Sequence, residues 1–392
     1  MKQERVRIGV VGCGNRLRSV LRLLLSHGGG RFAVTAVYDP LPASCQALAQ
    51  ELGIRIAPAA TAEAVCTSPD VDWVLIGSWN RFHAEQVIAA FNAGKDVFCE
   101  KPLAVSIEDC LSMQEAWRAT KRTFFFGLVL RYAPIYQKIK ELLDAGAVGQ
   151  VVSLEFNETL SFNHGGYIHG NWRRDRANAG THLLEKCCHD IDVVNWLTDS
   201  LPVRAASFGG RDFFIPENRA FATSLGTDKS GRAAYETWPD PERVDPFSAG
   251  STIVDNQVAI LEYAAGFRAS FHTNCNAGIP ERRVYILGTK GALRADVSTR
   301  RIEMQRIGFD TQREEFVVAG TPGDHLGGDE VMARHLSETM LTGVAPLASM
   351  EEGVRSALSC FGIDQALDTQ RIVDLLPLWT RAGIAPSGRI RS

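Results

Sequence analysis

The first 130 residues alternate short apolar segments with amphipathic ones, and this alternation constrains the fold more than any other feature of the chain. The segment VRIGVV at 6–11 is rich in β-branched residues and predicts a strand. A helical pattern follows it, with Leu17, Val20 and Leu21 at spacings of three and four. Four further strands, each preceded by a predicted helix, are expected at 32–39, 71–78, 96–102 and 123–130. Strands that alternate with helices in this way predict a parallel sheet with crossover helices.

The remainder of the chain has a different pattern. A helix is predicted at 132–149, a strand at 151–160 and a second helix at 183–197. Two antiparallel hairpins are then predicted, the first pairing 256–263 with 267–275 and the second pairing 283–289 with 292–297. We therefore predict two domains, an α/β domain at 1–130 and an α+β domain at 131–392.

Charge and cysteine content exclude some classes of protein. The chain has 42 basic and 45 acidic residues, a formal net charge of -3, which does not favour nucleic acid as a partner. Several of the nine cysteines lie within apolar runs, which predicts reduced and buried thiols in a cytoplasmic protein. The N-terminal residues lead directly into a strand without a signal segment, and we expect no membrane partner.

A glycine-rich turn joins the first strand to the first helix. Gly12 permits the tight turn, and Gly14 allows the backbone to approach a pyrophosphate at the positive end of the helix. The third position of this fingerprint is Leu17 instead of a small residue, so the motif alone also suits an ordinary strand-to-helix turn. Asn15 and Arg16 add a hydrogen-bonding group and a charge near the predicted phosphates.

The second strand ends in Asp39, which selects between dinucleotides. A carboxylate at this position binds the ribose hydroxyls of NAD and repels the extra phosphate of NADP. Pro40 follows, so the neighbouring position offers no cation for that phosphate. We therefore predict that NAD is the cofactor.

The fourth strand ends in Glu100-Lys101-Pro102. In an open parallel sheet the carboxyl ends of the strands face the ligand crevice, so Lys101 is expected at the nicotinamide end of the cofactor site. Pro102 is expected to fix the direction of the chain, through a cis bond.

The chain resembles the glucose-fructose oxidoreductase / inositol dehydrogenase / MocA family of NAD(P)-dependent enzymes over almost its whole length. The segments that carry the resemblance are RIGVVGCGN (7–15), GSWNRFH (77–83), AGKDVFCEKPLA (93–104), RYAPIYQKIKELLDAGAVGQV (131–151), AGTHLLEKCCHDIDVVNWL (179–197), YILGTKGAL (285–293) and GGDEVMARHL (327–336). The resemblance implies a doubly wound Rossmann domain, followed by an open, mostly antiparallel sheet that also forms a homo-oligomer, either a dimer or a tetramer. It extends the cofactor site to Ser78, Trp79, Asn80, His83 and Glu100.

The segment LLEKCCHDIDVVNWL contains the predicted catalytic histidine. Glu185, His189 and Asp192 share one face of a regular helix, and a neighbouring carboxylate suits His189 to act as a general base. Spacing alone also fits a surface salt cluster, but the family has its catalytic histidine here. Many members have aspartate where this chain has Glu185, which makes a catalytic role for Glu185 less secure.

Metal binding in this segment is not predicted. His182, Cys187, Cys188 and His189 have suitable ligand atoms, but their spacing is not a zinc pattern.

A polar and aromatic segment at 161–180, predicted to be a loop, precedes the histidine helix. Aromatic faces and guanidinium groups suit a hydroxyl-rich or an anionic ligand. A solvated surface loop and a contact with a partner subunit are the alternatives. The predicted substrate-binding residues are His164, Tyr167, Trp172, Arg173 and Arg174, together with Lys186 in the following helix.

These residues predict hydride transfer between a hydroxyl of a sugar, sugar derivative or polyol and NAD. His189 removes the hydroxyl proton, and Lys101 hydrogen-bonds the same oxygen. One alternative is an NAD-dependent glycoside hydrolase that oxidises a sugar transiently, eliminates the aglycone, adds water and returns the hydride. Another is a binding protein without turnover, which the presence of both Lys101 and His189 disfavours.

Overall fold

The structure is a computed structural model that describes residues 5–236, 238, 243–319 and 324–386. The chain divides into two compact units, Met1–Ala133 with Thr321–Ala357, and Pro134–Gly320 with Leu358–Ser392. The predicted domains at 1–130 and 131–392 did not anticipate that 321–357 joins the first unit. Residues 1–4 of the first predicted domain lie outside the described residues. So do residues 237, 239–242, 320–323 and 387–392 of the second. That the second domain binds the substrate stays a prediction.

The first unit is built on a five-stranded sheet in which every pair of neighbouring strands is parallel. The strand order is β2-β1-β3-β4-β5. The strands are β1 (Val6–Val11), β2 (Phe32–Tyr38), β3 (Trp73–Ile76), β4 (Asp96–Cys99) and β5 (Phe124–Phe126). All four residues of β3 are buried, as expected for a parallel strand covered on both faces. The predicted α/β fold is confirmed.

The helices of this unit connect consecutive strands, and all of them except α3 were predicted from the sequence. They are α1 (Asn15–His27), α2 (Pro42–Leu52), α3 (Ala62–Cys66), α4 (His83–Asn92) and α5 (Ile107–Thr120). The helix α11 (Gly328–Thr342) belongs to the same unit and packs on α1. Helix α12 (Met350–Thr369) contributes its first residues here and the others to the second unit.

The second unit is built on a nine-stranded sheet with the order β13-β12-β11-β10-β6-β9-β8-β7-β14. Only β6 and β9 pair in parallel among these described strands, so the predicted mostly antiparallel sheet and both predicted hairpins are confirmed. The strands are β6 (Val151–Ser161), β7 (Pro202–Gly210), β8 (Asn256–Tyr263), β9 (Arg268–Ala277), β10 (Arg283–Gly288), β11 (Gly291–Asp296), β12 (Arg301–Arg306), β13 (Arg313–Val317) and β14 (Val373–Asp374).

Helices cover one face of this sheet, and buried and exposed residues alternate along β8, β9 and β10. The helices of the unit are α6 (Pro134–Asp144), α7 (Phe162–His169), α8 (Arg176–Ala179), a π turn (Leu183–Cys187), α9 (Cys188–Thr198), α10 (Ala220–Leu225) and α13 (Leu376–Ala382). On the other face, Phe208, Val258 and Ile260 are exposed, with Phe208 opposite Val258 in the strand register.

The prediction that 161–180 forms a loop is wrong, because this segment contains α7, a 3-10 turn at Trp172–Arg174 and α8. The Ser161 hydroxyl accepts a hydrogen bond from the His164 amide and caps the first helix. Gly165 and Gly166 suggested a loop, but a side chain at either position would overlap the backbone of Cys275 or Tyr235. These glycines therefore serve close packing.

Four strands and three helices were also missed. Of these, β12 (RIEMQR) and β13 (REEFV) are short and strongly charged, and β7 (PVRAASFGG) has small residues and glycine. Such strands form because a neighbouring strand supplies hydrogen bonds, a contribution that local propensity does not report. β14 and the helices α3, α10 and α13 are the other missed elements.

All nine cysteines lie in the described part of the chain, and each is buried and free of disulfide bonds, as predicted. Among the described residues, no helix is both long enough and apolar enough to cross a membrane.

Candidate active site

The glycine turn of the first unit forms a cradle for a dinucleotide. Gly12 has φ +85°, and a Cβ there would lie 2.5 Å from the backbone of Gly77 and Ser78. A Cβ on Gly14 would meet no protein atom within 4 Å, so this glycine leaves space that a ligand can use. Gly14 caps α1 without a side-chain hydrogen bond, which leaves the first N–H groups for a pyrophosphate. The turn therefore fits NAD.

Gly77 explains why Leu17 is acceptable at the third position of the fingerprint. Leu17 is buried, and a Cβ on Gly77 would lie 2.8 Å from the Leu17 Cβ. The small residue that allows the helix to approach the sheet is therefore on the neighbouring strand end and not in α1. The glycine in the sequence GSWNRFH is the signal that indicated it.

Asp39 lies directly after β2, as predicted, and its carboxylate is oriented by two backbone amides. Its Oδ2 accepts from the Cys13 N–H at 2.7 Å, and its Oδ1 accepts from the Leu41 N–H at 2.8 Å. The carboxylate is thus attached to the glycine turn itself. This geometry suits a group that contacts the ribose next to the pyrophosphate.

We expect NAD to bind at least about tenfold more tightly than NADP, because the Asp39 carboxylate repels a 2′-phosphate. Asp39→Asn keeps an oxygen for the Cys13 amide and removes the charge, so it should narrow this ratio without unfolding the turn. Dissociation constants of both cofactors for both proteins test the prediction. Equal binding of NAD and NADP by the unmodified protein would contradict it.

Arg16, which is partly exposed, pairs with two buried carboxylates within the first unit. Its Nε donates to Glu100 Oε1 at 2.8 Å, and its Nη1 donates to Asp329 Oδ1 at 2.6 Å. Asp329 also accepts from His325 Nδ1 at 2.8 Å. The predicted cofactor roles of Arg16 and Glu100 stay predictions. The structure shows that both residues tie the glycine turn and the end of β4 to α11.

The Glu100-Lys101-Pro102 segment is held by a buried histidine. His83 Nδ1 lies 2.8 Å from the Pro102 carbonyl oxygen, and its Nε2 lies 3.2 Å from that of Ser78. Burial lowers the pKa of His83 despite these two acceptors. The Lys101–Pro102 bond is cis, as predicted. His83 therefore joins two strand ends of the predicted cofactor site.

The remaining predicted cofactor residues lie at the same strand ends or at the start of α1. The Ser78 hydroxyl donates to Gln86 at 2.7 Å, and the Asn15 side chain accepts from Arg18 at 2.5 Å. Trp79 precedes a 3-10 turn that begins at Asn80, and Asn80 is buried. Cofactor contacts by these residues stay predictions.

In the second unit, the predicted catalytic segment begins with a π turn, Leu183–Cys187, that leads into α9. The expected single α-helix with one polar face is therefore incorrect in its first part. Glu185, His189 and Asp192 are all buried, with exposures of 6%, 3% and 1%. π turns interrupt helices frequently at functional sites.

Arg173 connects Glu185 to the aromatic segment. Its Nε donates to Glu185 Oε1 at 3.0 Å, and its Nη1 donates to the Tyr167 hydroxyl oxygen at 3.0 Å. The guanidinium carbon also lies 4.4 Å from the centre of the Trp172 ring. The structure thus brings these four predicted site residues together.

Arg174 points to the backbone instead. Its Nη1 donates to the Asn171 carbonyl at 2.8 Å, and its Nε donates to that of Ala249 at 3.3 Å. These contacts hold the segment in place, so Arg173 is the stronger candidate for a ligand contact.

We expect Arg173→Lys to raise KM by about tenfold, because lysine keeps the charge but cannot bridge Glu185 and Tyr167. Arg174→Lys is the matched control and should change KM less than about twofold, since its contacts are to the backbone. Steady-state kinetics with any accepted substrate check this. The same KM in both variants as in the unmodified enzyme would argue against a ligand role for either arginine.

The histidines of α7 differ in their surroundings. His164 lies 6.3 Å from the Tyr167 ring centre, and burial and then Lys186 lower its pKa to about 3. His169 is fully buried, stacks on Phe214 and contacts the Ser251 hydroxyl at 2.9 Å. Only His164 therefore lies beside the other predicted substrate residues.

A buried charge cluster beneath these residues was not anticipated. Arg282 donates two hydrogen bonds to Asp190, at 2.8 and 2.9 Å, and one to Glu158 at 2.5 Å. Lys186 lies 3.3 Å from the other Glu158 oxygen. Burial opposes ionisation of Glu158, but Arg282 and Lys186 lower its pKa overall, whereas burial raises the pKa of Asp190. We call these four residues the Arg282 cluster.

A metal at this cluster is not favoured. Ligand atoms of Glu158, Cys187 and Asp190 lie within 4.8 Å of one another. Arg282 nevertheless donates to both carboxylates and already supplies the positive charge that a cation would bring. The absence of a metal cofactor stays a prediction.

The glycine turn, the oriented Asp39 and the parallel sheet define an NAD-binding Rossmann oxidoreductase. The profile described as an oxidoreductase family with an NAD-binding Rossmann fold matches residues 6–128, and that of the GFO/IDH/MocA C-terminal domain matches residues 136–294. The chain belongs to the glucose-fructose oxidoreductase / inositol dehydrogenase / MocA family, as the sequence motifs predicted.

Several characterised proteins are similar to this chain. Inositol 2-dehydrogenase 3 of Saccharopolyspora erythraea is 36% identical over 208 residues, which cover 51% of this chain and 56% of that protein. The 2,7-anhydro-N-acetylneuraminate hydratase of Escherichia coli K12 is 27% identical over 292 residues, 74% of this chain and 68% of that protein. A levoglucosan dehydrogenase solved with NADH and levoglucosan has a TM-score of 0.77 at 17% identity, covering 95% of this chain and 100% of that one, and shares the fold.

Proposed function

We propose that this protein is an NAD-dependent dehydrogenase that oxidises a secondary hydroxyl of a sugar, sugar derivative or polyol. The observation that carries the proposal is the buried His189 in the same unit as a polar network of Glu185, Arg173 and Tyr167. Such a network suits a hydroxyl-rich ligand. Similarity to inositol 2-dehydrogenases supports the substrate class.

In the proposed reaction His189 removes the hydroxyl proton, and Lys101 donates a hydrogen bond to the same oxygen and stabilises its developing charge. Glu185 holds the Arg173 guanidinium in position through their ion pair. Gly12, Gly14 and Asp39 hold NAD, which when bound supplies the hydride acceptor.

A redox-neutral reaction is the second candidate. It is favoured by the similarity to a hydratase and by the position of the Tyr167 hydroxyl beside Arg173. The match to the anhydro-N-acetylneuraminate hydratase extends over 74% of the chain, and adding water to a sugar changes no net oxidation state. Such a reaction, like glycoside hydrolysis through transient oxidation, needs one further base for the C–H next to the ketone. Tyr167 is the best candidate, because its oxygen is held by Arg173, whereas His169 is fully buried.

One assay separates the two candidates. The protein with NAD is offered free sugars, polyols, anhydro sugars and aryl glycosides, and NADH, aglycone and hydrated sugar are all followed. NADH that accumulates in proportion to product supports the dehydrogenase. Product without net NADH, together with solvent deuterium in the sugar ring, would replace it with the redox-neutral reaction.

We also propose that the protein is a homo-oligomer, a dimer or tetramer, formed through the open face of the nine-stranded sheet. Phe208 and Ile260 on this face are 75% and 60% exposed, and neighbouring apolar side chains of this size mark an interaction surface. Light scattering after size-exclusion chromatography gives the mass. A monomeric unmodified protein, or an oligomer unaffected by Ile260→Asp, would contradict this interface.

A further inference from the structure

Lys186 places a cation at the edge of the Arg282 cluster. It lies within the π turn, directly after Glu185, and its side chain is 16% exposed, whereas that of Glu158 is 5% exposed. Its contact with Glu158, at 3.3 Å, is looser than the 2.5 Å contact between Glu158 and Arg282. An ammonium group has three donors, and Glu158 engages one of them.

The groups around Lys186 belong to the predicted substrate site. His164 lies within electrostatic range of Lys186, Glu158, Glu185 and Arg173, and burial together with Lys186 keeps its ring neutral at pH 7. Arg173 is 22% exposed and holds the Tyr167 oxygen. Lys186 and Arg173 are therefore each more exposed than the carboxylate with which they pair, Glu158 at 5% and Glu185 at 8%.

The charges of Arg173, Glu185 and the Arg282 cluster balance only if all of their carboxyl groups are ionised. Three cations, Arg173, Lys186 and Arg282, meet three carboxyl groups, at Glu158, Glu185 and Asp190. Glu158 and Asp190 accept from the same Arg282 nitrogen, and two carboxylates so close together resist full ionisation in a buried site. The raised pKa of Asp190 agrees with this, and the network carries a net positive charge whenever Asp190 is protonated.

We infer that Lys186 binds an anionic group of the substrate and makes the enzyme select acidic sugars over their neutral counterparts. This inference rests on the proposed function, because it assumes that a sugar binds in this unit. Glu158 and Arg282 are positioning residues in this account, because they fix the Lys186 ammonium without touching the ligand. A carboxylate and a phosphate share the required chemistry.

The test compares acidic and neutral sugars of the same configuration on the NAD-loaded protein by calorimetry. The probes are glucuronate and glucose, galacturonate and galactose, and glucose 6-phosphate as the phosphate. We expect an acidic probe to bind at least about tenfold more tightly than its neutral partner. Preference for the uronate or for the phosphate tells the two anionic groups apart.

Lys186→Gln should reduce this preference to within about twofold, and Lys186→Arg should retain most of it, since the charge remains. Lys138→Gln, on an exposed ion pair of the same unit, makes the same change in net charge and should leave the preference unchanged. Thermal midpoints verify folding of each variant, and Lys186→Met replaces the glutamine variant if that one unfolds.

A wild-type protein that binds neutral sugars as tightly as acidic ones overturns the inference and leaves the proposed function intact. A preference that survives in a folded Lys186→Gln or Lys186→Met variant also overturns it. Failure of every probe to bind counts against the inference and the proposed sugar substrate together.

Discussion

Replacing His189 or Lys101 with alanine should lower turnover by about a hundredfold or more, the usual effect of losing an acid–base group. His189 is buried at the start of α9, and Lys101 lies at the cis bond that follows β4. In the proposed reaction, loss of His189 leaves the hydroxyl without its base, and loss of Lys101 leaves it without its charge-stabilising donor. Steady-state kinetics and single-turnover measurements on both variants check this.

Two controls make the result specific. His189→Ala should bind NAD as the unmodified protein does, because His189 belongs to the second unit and the cradle to the first. Lys121→Ala removes an exposed lysine of the first unit and should leave turnover unchanged. Normal turnover by a folded His189→Ala variant would mean that another group is the base.

Arg282→Met should destabilise the protein by about 3–5 kcal/mol, since it leaves two buried carboxyl groups without their shared cation. Methionine has a similar length and no charge, so the change mainly removes electrostatic compensation. The loss of unfolding free energy should be larger at pH 8 than at pH 5. At the higher pH the carboxyl groups are ionised and need a cation, whereas at the lower pH protonation removes that need. Urea titrations at the two pH values measure the free energy of unfolding.

The neighbouring arginine is a matched control. Arg283 is half exposed and pairs with Glu281 at 2.9 Å, so Arg283→Met should cost less than about 1 kcal/mol. Equal free energies of unfolding for the two variants would show that the Arg282 cluster contributes little to stability. A deficit in Arg282→Met that did not shrink at low pH would point to lost packing.

The first unit was predictable because its signals are local. Each strand is a short apolar run, and the glycine turn and Asp39 follow strands whose ends must meet at one edge of a parallel sheet. What local sequence did not indicate is the pairing of Arg16 with Asp329, two residues separated by 313 positions. For the same reason, the sequence did not indicate that 321–357 belongs to the first unit.

In the second unit the sequence indicated candidate site residues, whose roles stay predictions, but not the contacts that connect them. His189 and Arg173 were found from the family motif and from the composition of one segment. Arg282 was missed because it lies 92 positions from Asp190 and 124 from Glu158, in a segment without a polar motif of its own. Gly165 suggested a loop, and its packing role could not be inferred because the residue it packs against, Cys275, is also far away in the sequence.

The π turn before α9 has a consequence for comparing this chain with its relatives. A π turn contains one residue more than the α-helical winding it interrupts, so deleting one residue within Leu183–Cys187 would restore regular winding. Residues before the deletion would then keep their orientation relative to His189 but lie one position closer to it in sequence. In a relative without the turn, an ungapped alignment would pair Glu185 with a side chain on a different face of the helix. A residue aligned with Glu185 is therefore equivalent to it only where the relative has the same winding.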